Sequence, residues 1–142
     1  MMNLLPGLQS STDALSAEKL RMDLIAQNIA NAQTTRDADG DVYRRKMVSF
    51  EAYLLDHNKL ATSSEGLRGV RVSGVEEDLS PGVRVFNPQH PHADGDGMVT
   101  MPNVQLAREM VDLISSSRAY EANLAAVKTS RQMAQNALSI GR

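Results

Sequence analysis

Histidine and aspartate side chains are concentrated in one short stretch of this chain, NPQHPHADGDG at residues 87–97. Imidazole and carboxylate groups this close together could hold a metal ion, and calcium loops place oxygen ligands at positions 1, 3 and 5 with glycine at position 6. Counting from Asp94 puts Met98 at position 5, and DADGD at 37–41 has Val42 where the glycine belongs. We therefore interpret both stretches as tight turns and predict that neither binds a metal.

The residues that catalysis requires are sparse. Glu76, Glu77 and Asp78 are consecutive carboxylates, but a charged run after a strand is usually a solvated turn. The sequence contains no nucleophile elbow, phosphate-binding glycine loop or zinc-protease helix. The absence of cysteine excludes structural disulfides and thiolate zinc ligands. The sequence predicts a protein that is not an enzyme, has no cofactor and takes no small-molecule substrate.

Length and charge limit the partners further. At 142 residues the chain is most simply one domain, and its net charge of −2 is spread along the sequence. A nucleic-acid binder would normally show a clustered basic face, so we expect no nucleic-acid partner. No apolar run approaches the length of about 18 residues that a membrane span needs. The start, MMNLLPGLQSST, lacks the basic and apolar regions of a secretory signal. We expect any export to use a route without a cleaved signal peptide.

Apolar residues recur with helical spacing at both ends of the chain and not between them. The N-terminal stripe is interrupted at Ser11 and Glu18, and it consists of Leu8, Leu15, Met22, Ile25, Ile29 and Ala32. Pro6 and Gly7 mark a break before this predicted helix, and Thr34 and Thr35 mark its end.

The C-terminal stripe covers about five heptads. It is interrupted at Ser117 and Arg131, and it comprises Leu106, Met110, Leu113, Tyr120, Leu124, Val127, Ala134 and Leu138. We predict Pro102 and Asn103 as its start and cap, and Gly141 as its stop. At 1.5 Å per residue such a helix is about 55 Å long.

The middle of the chain has the alternating pattern of short strands. Strand-like runs occur at 41–55 and 69–88, the second divided by the turn signal Ser80-Pro81-Gly82, and a further short strand is predicted around Val99. Residues 56–68 resemble a mobile loop. The predicted fold class is α+β, with two long terminal helices pairing as a coiled-coil-like hairpin and a small β-rich region between them. The predicted domains are an N-terminal helix at 1–35, the β-rich region at 36–102 and a C-terminal helix at 103–142.

Two charged clusters have alternative interpretations. On a strand, Arg44 and Lys46 would point to one face and Arg45 to the other, which is an edge-strand device against aggregation, or else a basic contact patch. On the C-terminal helix, Arg118 and Glu121 are three residues apart, which suits an internal ion pair or a register-setting contact to another subunit.

The two stripes are better suited to assembly than to a core within one chain. They contain roughly fifteen apolar side chains, each contributing about 1.5–3 kcal/mol when fully buried. Ordering the helices costs about 1.5 kcal/mol per residue, so pairing the two helices of one chain leaves little surplus. We expect neighbouring chains to cover the remaining faces. The predicted subunit-interface residues are Leu15, Met22, Ile25, Asn28, Ile29, Asn31, Leu106, Met110, Leu113, Arg118, Tyr120, Leu124, Val127 and Leu138.

Asn28 and Asn31 fall at the end of the N-terminal pattern, in LIAQNIANAQTT at 24–35. Asparagine inside a helix costs roughly 0.7 kcal/mol relative to alanine. Their amides either mark a fraying polar helix end or hydrogen-bond to neighbouring chains and select one register.

This stretch resembles the N-terminal signature of the axial proteins of the bacterial flagellum, the rod and hook family. The signature's Asn-apolar-Ala-Asn core corresponds to residues 28–31, and Thr34 follows it. The stretches YRRKMVSFE, GVRVSGVEED, NPQHPHADGDGMVTMPNV and the C-terminal EMVDLISSSRAYEANLAAVKTSRQMAQNALSIGR resemble the proximal-rod members of that family. Asn87 and Gln89 depart from the family pattern, in which an Asp and a Gly are commoner.

The resemblance implies a structural subunit of the flagellar basal-body rod. Such subunits are exported by the flagellar type III apparatus without a cleaved signal, and they polymerise helically with other rod proteins and copies of themselves. Their terminal helices form the inner tube wall, which transmits torque and lines the export channel, and the β-rich region lies outside. Another rod or hook axial protein, or a soluble coiled-coil adaptor, is the alternative.

Overall fold

The computed structural model describes residues 5–36, 40–54 and 68–140. Within these ranges the elements in chain order are α1 (Leu5–Ala30), β1 (Lys46–Leu54), β2 (Arg68–Glu77), β3 (Val83–Phe86), β4 (Met98–Met101) and α2 (Leu106–Ile140). Two terminal helices enclosing a small set of antiparallel strands confirm the predicted α+β class. The predicted loop at 56–68 lies outside the described residues except for Arg68, which begins β2, and the predicted stop at Gly141 also lies outside them.

The first helix begins earlier than its apolar pattern. Pro6 and Gly7 lie inside the first turn of α1, so the predicted break before the helix is wrong. Proline is tolerated there because the first helical N–H groups have no partner within the helix. At the other end, the N–H of Asn31 donates to the carbonyl of Gln27, and the chain then leaves through a turn in which the N–H of Thr34 donates to the carbonyl of Asn31.

The second helix is 35 residues long, which corresponds to about 52 Å. Its first backbone bond joins the N–H of Glu109 to the carbonyl of Gln105 at 3.0 Å, so Gln105 occupies the cap position. The predicted cap at Asn103 is therefore wrong. The Asn103 side chain instead bonds to strand and loop backbone, as described below.

The helices pack against each other in antiparallel directions. Ser116 of α2 contacts Glu18 of α1, and Glu109 contacts Asn28, so positions that advance along one helix retreat along the other.

The strands form two separate ribbons. β1 pairs with β2 from Lys46↔Glu77 to Leu54↔Arg68, with an irregularity after Ser49, and this hairpin packs on α1. β3 pairs with β4, so the two runs on either side of the Ser80-Pro81-Gly82 turn belong to different sheets. The predicted strand at 41–55 begins only at Lys46, because residues 43–45 bond to the helices and to Asn103.

The buried apolar core of the described residues is small: Ala17, Leu24, Ile25, Tyr43 and Val99. By contrast, fifteen large apolar side chains of the described residues are exposed.

Candidate subunit interface

The second helix carries an apolar ridge that the first helix does not cover. Among its residues only Glu109 and Ser116 are buried. The exposed large apolar side chains of α2 fall in two groups, Leu106, Met110, Val111 and Ile114 near its start and Met133, Leu138 and Ile140 near its end, which together we call the α2 ridge. Exposure reaches 75% at Leu138 and 84% at Ile140. Side chains this apolar and this exposed suit an interaction surface better than open solvent.

The structure places the predicted interface residues in three groups. Leu106, Met110, Arg118 and Leu138 are exposed, and the half-buried ones are Leu15, Met22, Ile29, Asn31, Leu113, Tyr120, Leu124 and Val127. Ile25 and Asn28 are buried within the chain. Side chains of the same chain enclose both, and a role of these two residues at a subunit interface stays a prediction.

Four members of the ridge were missed: Val111, Ile114, Met133 and Ile140. The heptad pattern followed a single seam of the helix, and these residues lie on other faces of it. Val111 and Ile114 are three apart and share a helix face with Arg118, so a search for a second helical stripe would have found them.

Asn28 fills every hydrogen-bonding position of its amide inside the chain. Its Nδ2 donates to the carbonyl of Lys46 at 2.9 Å and to Oε2 of Glu109 at 3.0 Å. Its Oδ1 accepts the hydroxyl of Tyr43 and the N–H of Lys46, each at 2.9 Å. With 1% of its surface exposed, Asn28 has no capacity left for another chain.

Glu109 is a buried carboxylate shared between both helices and the segment before β1. None of its surface is exposed, and its Oε1 accepts Nε of Arg45 at 2.5 Å. The Arg45 side chain is 12% exposed and also reaches Asp112 through Nη2 at 3.3 Å. The interpretation of Arg45 as a solvated edge-strand charge is therefore wrong, since it compensates a buried charge.

Asn103 holds the same segment from the other side. Its Oδ1 accepts the backbone N–H of Arg45 at 2.8 Å, and its Nδ2 donates to the carbonyls of Asp78 at 2.9 Å and Ser80 at 3.2 Å. The set of polar groups that connects α1, α2 and the middle of the chain is here called the polar joint. It consists of the backbone of Lys46 and the side chains of Asn28, Tyr43, Arg45, Asn103, Glu109 and Asp112. No single stretch of sequence contains it.

Asn31 behaves differently from Asn28. Its Nδ2 donates to the carbonyl of Gln27 at 2.9 Å, and its Oδ1 accepts the hydroxyl of Thr34 at 3.1 Å. Both bonds stay within the last turn of α1 and the residues just after it. The interpretation of the motif as a polar helix end therefore holds for Asn31 and not for Asn28.

Arg118 is exposed on α2, and no ion pair joins it to Glu121 in the part of the chain that the structure describes. The internal ion pair predicted from their spacing is therefore not formed. The contact to another subunit stays a prediction.

The metal-like stretch forms the turn between β3 and β4. Asp94 Oδ1 accepts the N–H groups of Met98 and Asp96, and its Oδ2 accepts Nη2 of Arg84 at 2.6 Å. The Met98 N–H, above all, lowers the pKa of Asp94 below its ordinary value of 3.8. Within the described residues no cluster of three potential metal ligands occurs.

The two histidines of this turn both form hydrogen bonds with other groups of the same chain. Nδ1 of His92 lies 2.8 Å from the Thr35 hydroxyl, and Nδ1 of His90 accepts the N–H of His92 at 3.1 Å. The first bond connects the turn to the residues that follow α1.

Glu76 and Glu77 end β2 and do not follow the strand as predicted, and only Asp78 of the acidic run lies in a tight turn. Asp78 Oδ1 accepts both the hydroxyl and the N–H of Ser80, and the Ser80 hydroxyl is the main cause of a lowered pKa at Asp78. Glu76 and Glu77 are exposed.

Neither described helix has an apolar stretch of the length and hydropathy that crossing a membrane requires.

Two family models match this chain. One, described as "Flagella basal body rod protein", matches residues 8–36, which include most of α1 and the Asn28–Asn31 motif. The other, described as "Flagellar basal body rod FlgEFG protein C-terminal", matches residues 96–140, which include β4 and α2. The matched ranges therefore contain the helix pair and the α2 ridge.

Individual relatives match over nearly the whole chain. The flagellar basal-body rod protein FlgC of Bacillus subtilis (strain 168) is 39% identical, with 96% of this chain and 97% of that protein covered. FlgC of Borreliella burgdorferi is 38% identical with 98% of both covered, and FlgC of Salmonella typhimurium is 36% identical with 91% of both covered. The similarity includes the middle strands as well as the helices.

Proposed function

Because this chain belongs to the FlgC family of flagellar basal-body rod proteins, we propose that its helix pair builds the wall of the proximal rod. It is a structural subunit of that basal-body rod. In the proposed arrangement the terminal helices, from 1–35 and 103–142, form the inner tube, and the region at 36–102 lies outside it. The assembled tube transmits torque and encloses the export channel.

The uncovered α2 ridge supports this proposal most directly. Its apolar side chains lie near both ends of α2, from Leu106 to Ile114 and from Met133 to Ile140, while α1 contributes three of the buried apolar residues of the described core. Burying a large apolar side chain contributes about 1.5–3 kcal/mol, so covering this ridge favours association. Neighbouring copies and other rod proteins are the partners that fit a surface of this length.

Helical polymerisation places a requirement on these surfaces. A polymer that does not close into a ring needs two different patches that fit each other on successive subunits. The last turns of α2, with the exposed side chains of Met133, Leu138 and Ile140, supply one patch. Leu106 and Met110 supply another near the opposite end of the same helix.

We further propose that the subunit reaches the rod through the flagellar type III export apparatus without a cleaved signal peptide, and that it has no catalytic activity. The carboxylates of the described residues support a structural role. Glu109 and Asp112 both bind Arg45, and Asp94 stabilises a turn. These groups are occupied by contacts that hold the fold together.

A matched pair of leucine substitutions tests the proposal. Leu138 on α2 is 75% exposed and Leu79, in the turn after β2, is 76% exposed. Leu138→Ser removes apolar area from the proposed interface, and Leu79→Ser removes the same area elsewhere. Each variant is expressed in a motile host lacking its own copy of the gene, and soft-agar motility and its content in isolated basal bodies are measured.

We expect Leu138→Ser to reduce incorporation into basal bodies and motility, and Leu79→Ser to leave both near wild type. Circular dichroism of the purified chains should show equal helix content, because neither side chain contributes to the core. Normal incorporation of Leu138→Ser would contradict the proposed use of the α2 ridge. An equal loss in both variants would show that the interface is not particular to the helices.

A further inference from the structure

The charge on the Glu109 carboxylate is compensated from outside the helix pair. Glu109 lies on α2 with no exposed surface, and α1 supplies only the neutral amide of Asn28 to it. Among the described residues, Arg45 is the cation that pairs with Glu109, and it belongs to the segment leading into β1. The two helices therefore meet around a charge that neither of them neutralises.

A buried carboxylate without a partner strongly opposes folding, because its lost hydration is not replaced. If α1 and α2 paired before residues 43–46 docked, Glu109 would be enclosed with one amide bond and no cation. Pairing of the helices is therefore unfavourable until Arg45 arrives.

Docking of residues 43–46 depends in turn on the helices. The backbone N–H and carbonyl of Lys46 both bond to Asn28, and the backbone N–H of Arg45 bonds to Asn103. The N–H of Asp78, just after β2, donates to the carbonyl of Arg45 at 2.8 Å. Backbone groups of the docking segment thus find partners on α1, on the loop before α2 and just after β2.

We propose that the polar joint couples two events, the pairing of α1 with α2 and the docking of the middle of the chain, so that they occur together and in one orientation. Asn28 and Arg45 act as positioning residues that set the β1–β2 hairpin relative to the helices. Their role rests on the geometry of the joint and holds for the single chain, independently of its assembly into a rod.

Other side-chain contacts in the described residues connect fewer elements than the polar joint does. Ser116 and Glu18 bond α2 to α1 only, and Tyr53 donates to Asp13 between the hairpin and α1 only. The ion pair of Arg71 with Glu51 is exposed and stays within the hairpin. The polar joint contacts both helices and the segment between α1 and β1 at once.

Distance measurements on the full chain test the coupling, and the absence of native cysteine makes site-specific labelling direct. Spin labels at Lys19→Cys and Lys128→Cys, both exposed, report the separation of α1 from α2. Labels at Ser73→Cys and Lys128→Cys, also both exposed, report the separation of the hairpin from α2. Pulsed electron paramagnetic resonance gives the distribution of each distance.

Arg45→Met leaves the Glu109 carboxylate without its cation. We expect both distance distributions to broaden together, and the unfolding equilibrium constant to rise about a hundredfold. The double variant Arg45→Met/Glu109→Leu removes the stranded charge as well. We expect it to restore the narrow helix–helix distance while the hairpin–helix distance stays broad, because the helices then no longer need the segment.

Arg71→Met is the matched control, because it removes an arginine and its ion pair from an exposed site. Both of its distributions should equal those of the wild type. If Arg45→Met broadens only the hairpin–helix distance, the joint is a local latch and the coupling is refuted. If Arg45→Met unfolds the chain and the double variant does so equally, loss of packing rather than stranded charge is responsible, and the proposal is also overturned.

Discussion

Replacing Asn28 with alanine should be among the most destabilising single changes in α1, although asparagine is a poor helix former. The substitution removes both donors of the amide and both acceptor positions of its oxygen at once. A hydrogen bond to a charged group contributes about 1.5–3 kcal/mol and a neutral one about 0.5–1.5 kcal/mol. The lost bond to Glu109 and the two lost bonds to the backbone of Lys46 together give about 2.5–6 kcal/mol. Intrinsic helix propensity favours alanine by only about 0.7 kcal/mol, so the net effect is a clear loss.

Asn31→Ala is the control, since it makes the same chemical change three residues later on the same helix end. Asn31 is half-exposed and its bonds are local, so we expect a loss of about 0.5–1 kcal/mol. Urea unfolding of the full chain, followed by far-ultraviolet circular dichroism, gives both values from the same extrapolation. If the free energies of unfolding of the two variants differ by less than about 1 kcal/mol, the claim that Asn28 stabilises the fold far more than Asn31 is refuted.

Two further changes test the β3–β4 ribbon. In Gly82→Ala the new methyl group would overlap the carbonyl oxygen of Met101, and we expect a loss of about 1–3 kcal/mol in thermal or urea unfolding. Gly74→Ala is the control, because a methyl group there meets nothing within 4 Å, and it should change stability by less than about 0.5 kcal/mol. An equal effect of the two substitutions would contradict the close approach of Gly82 to Met101. The Met98 N–H lowers the pKa of Asp94, so the turn bonds are intact above pH 3.8 and are lost as pH falls through a lower value. The amide resonance of Met98, followed by NMR during acidification, should titrate with a midpoint below 3.8, and a midpoint at or above that value would show that the bond does not stabilise the carboxylate.

The sequence alone determined the helices and the general arrangement of the chain. Apolar spacing is a property of neighbouring residues, so the helical periodicity of α1 and α2 and the alternation of the strands between them could be seen without a structure. The Asn28–Asn31 motif also indicated the family, because a short contiguous motif is visible in the order of the residues alone.

The residues at which the helices begin could not be predicted from the apolar spacing. The heptad spacing did not show that Pro6 falls within the first turn, nor that Gln105 rather than Asn103 caps α2. Pattern locates a helix, but the partners of its terminal N–H groups decide where it begins.

Only the tertiary structure decided which polar residues belong to the interior. Asn28 and Glu109 are 81 positions apart in the chain, and Arg45 and Glu109 are 64 apart. On sequence alone, Asn28 suited an intersubunit contact and Arg45 suited a solvated strand edge. Whether a polar side chain is buried depends on which distant groups fill its hydrogen-bonding positions, and local spacing carries no record of that. Folding brings one amide, one guanidinium and one carboxylate together, and their mutual satisfaction makes the burial of all three possible.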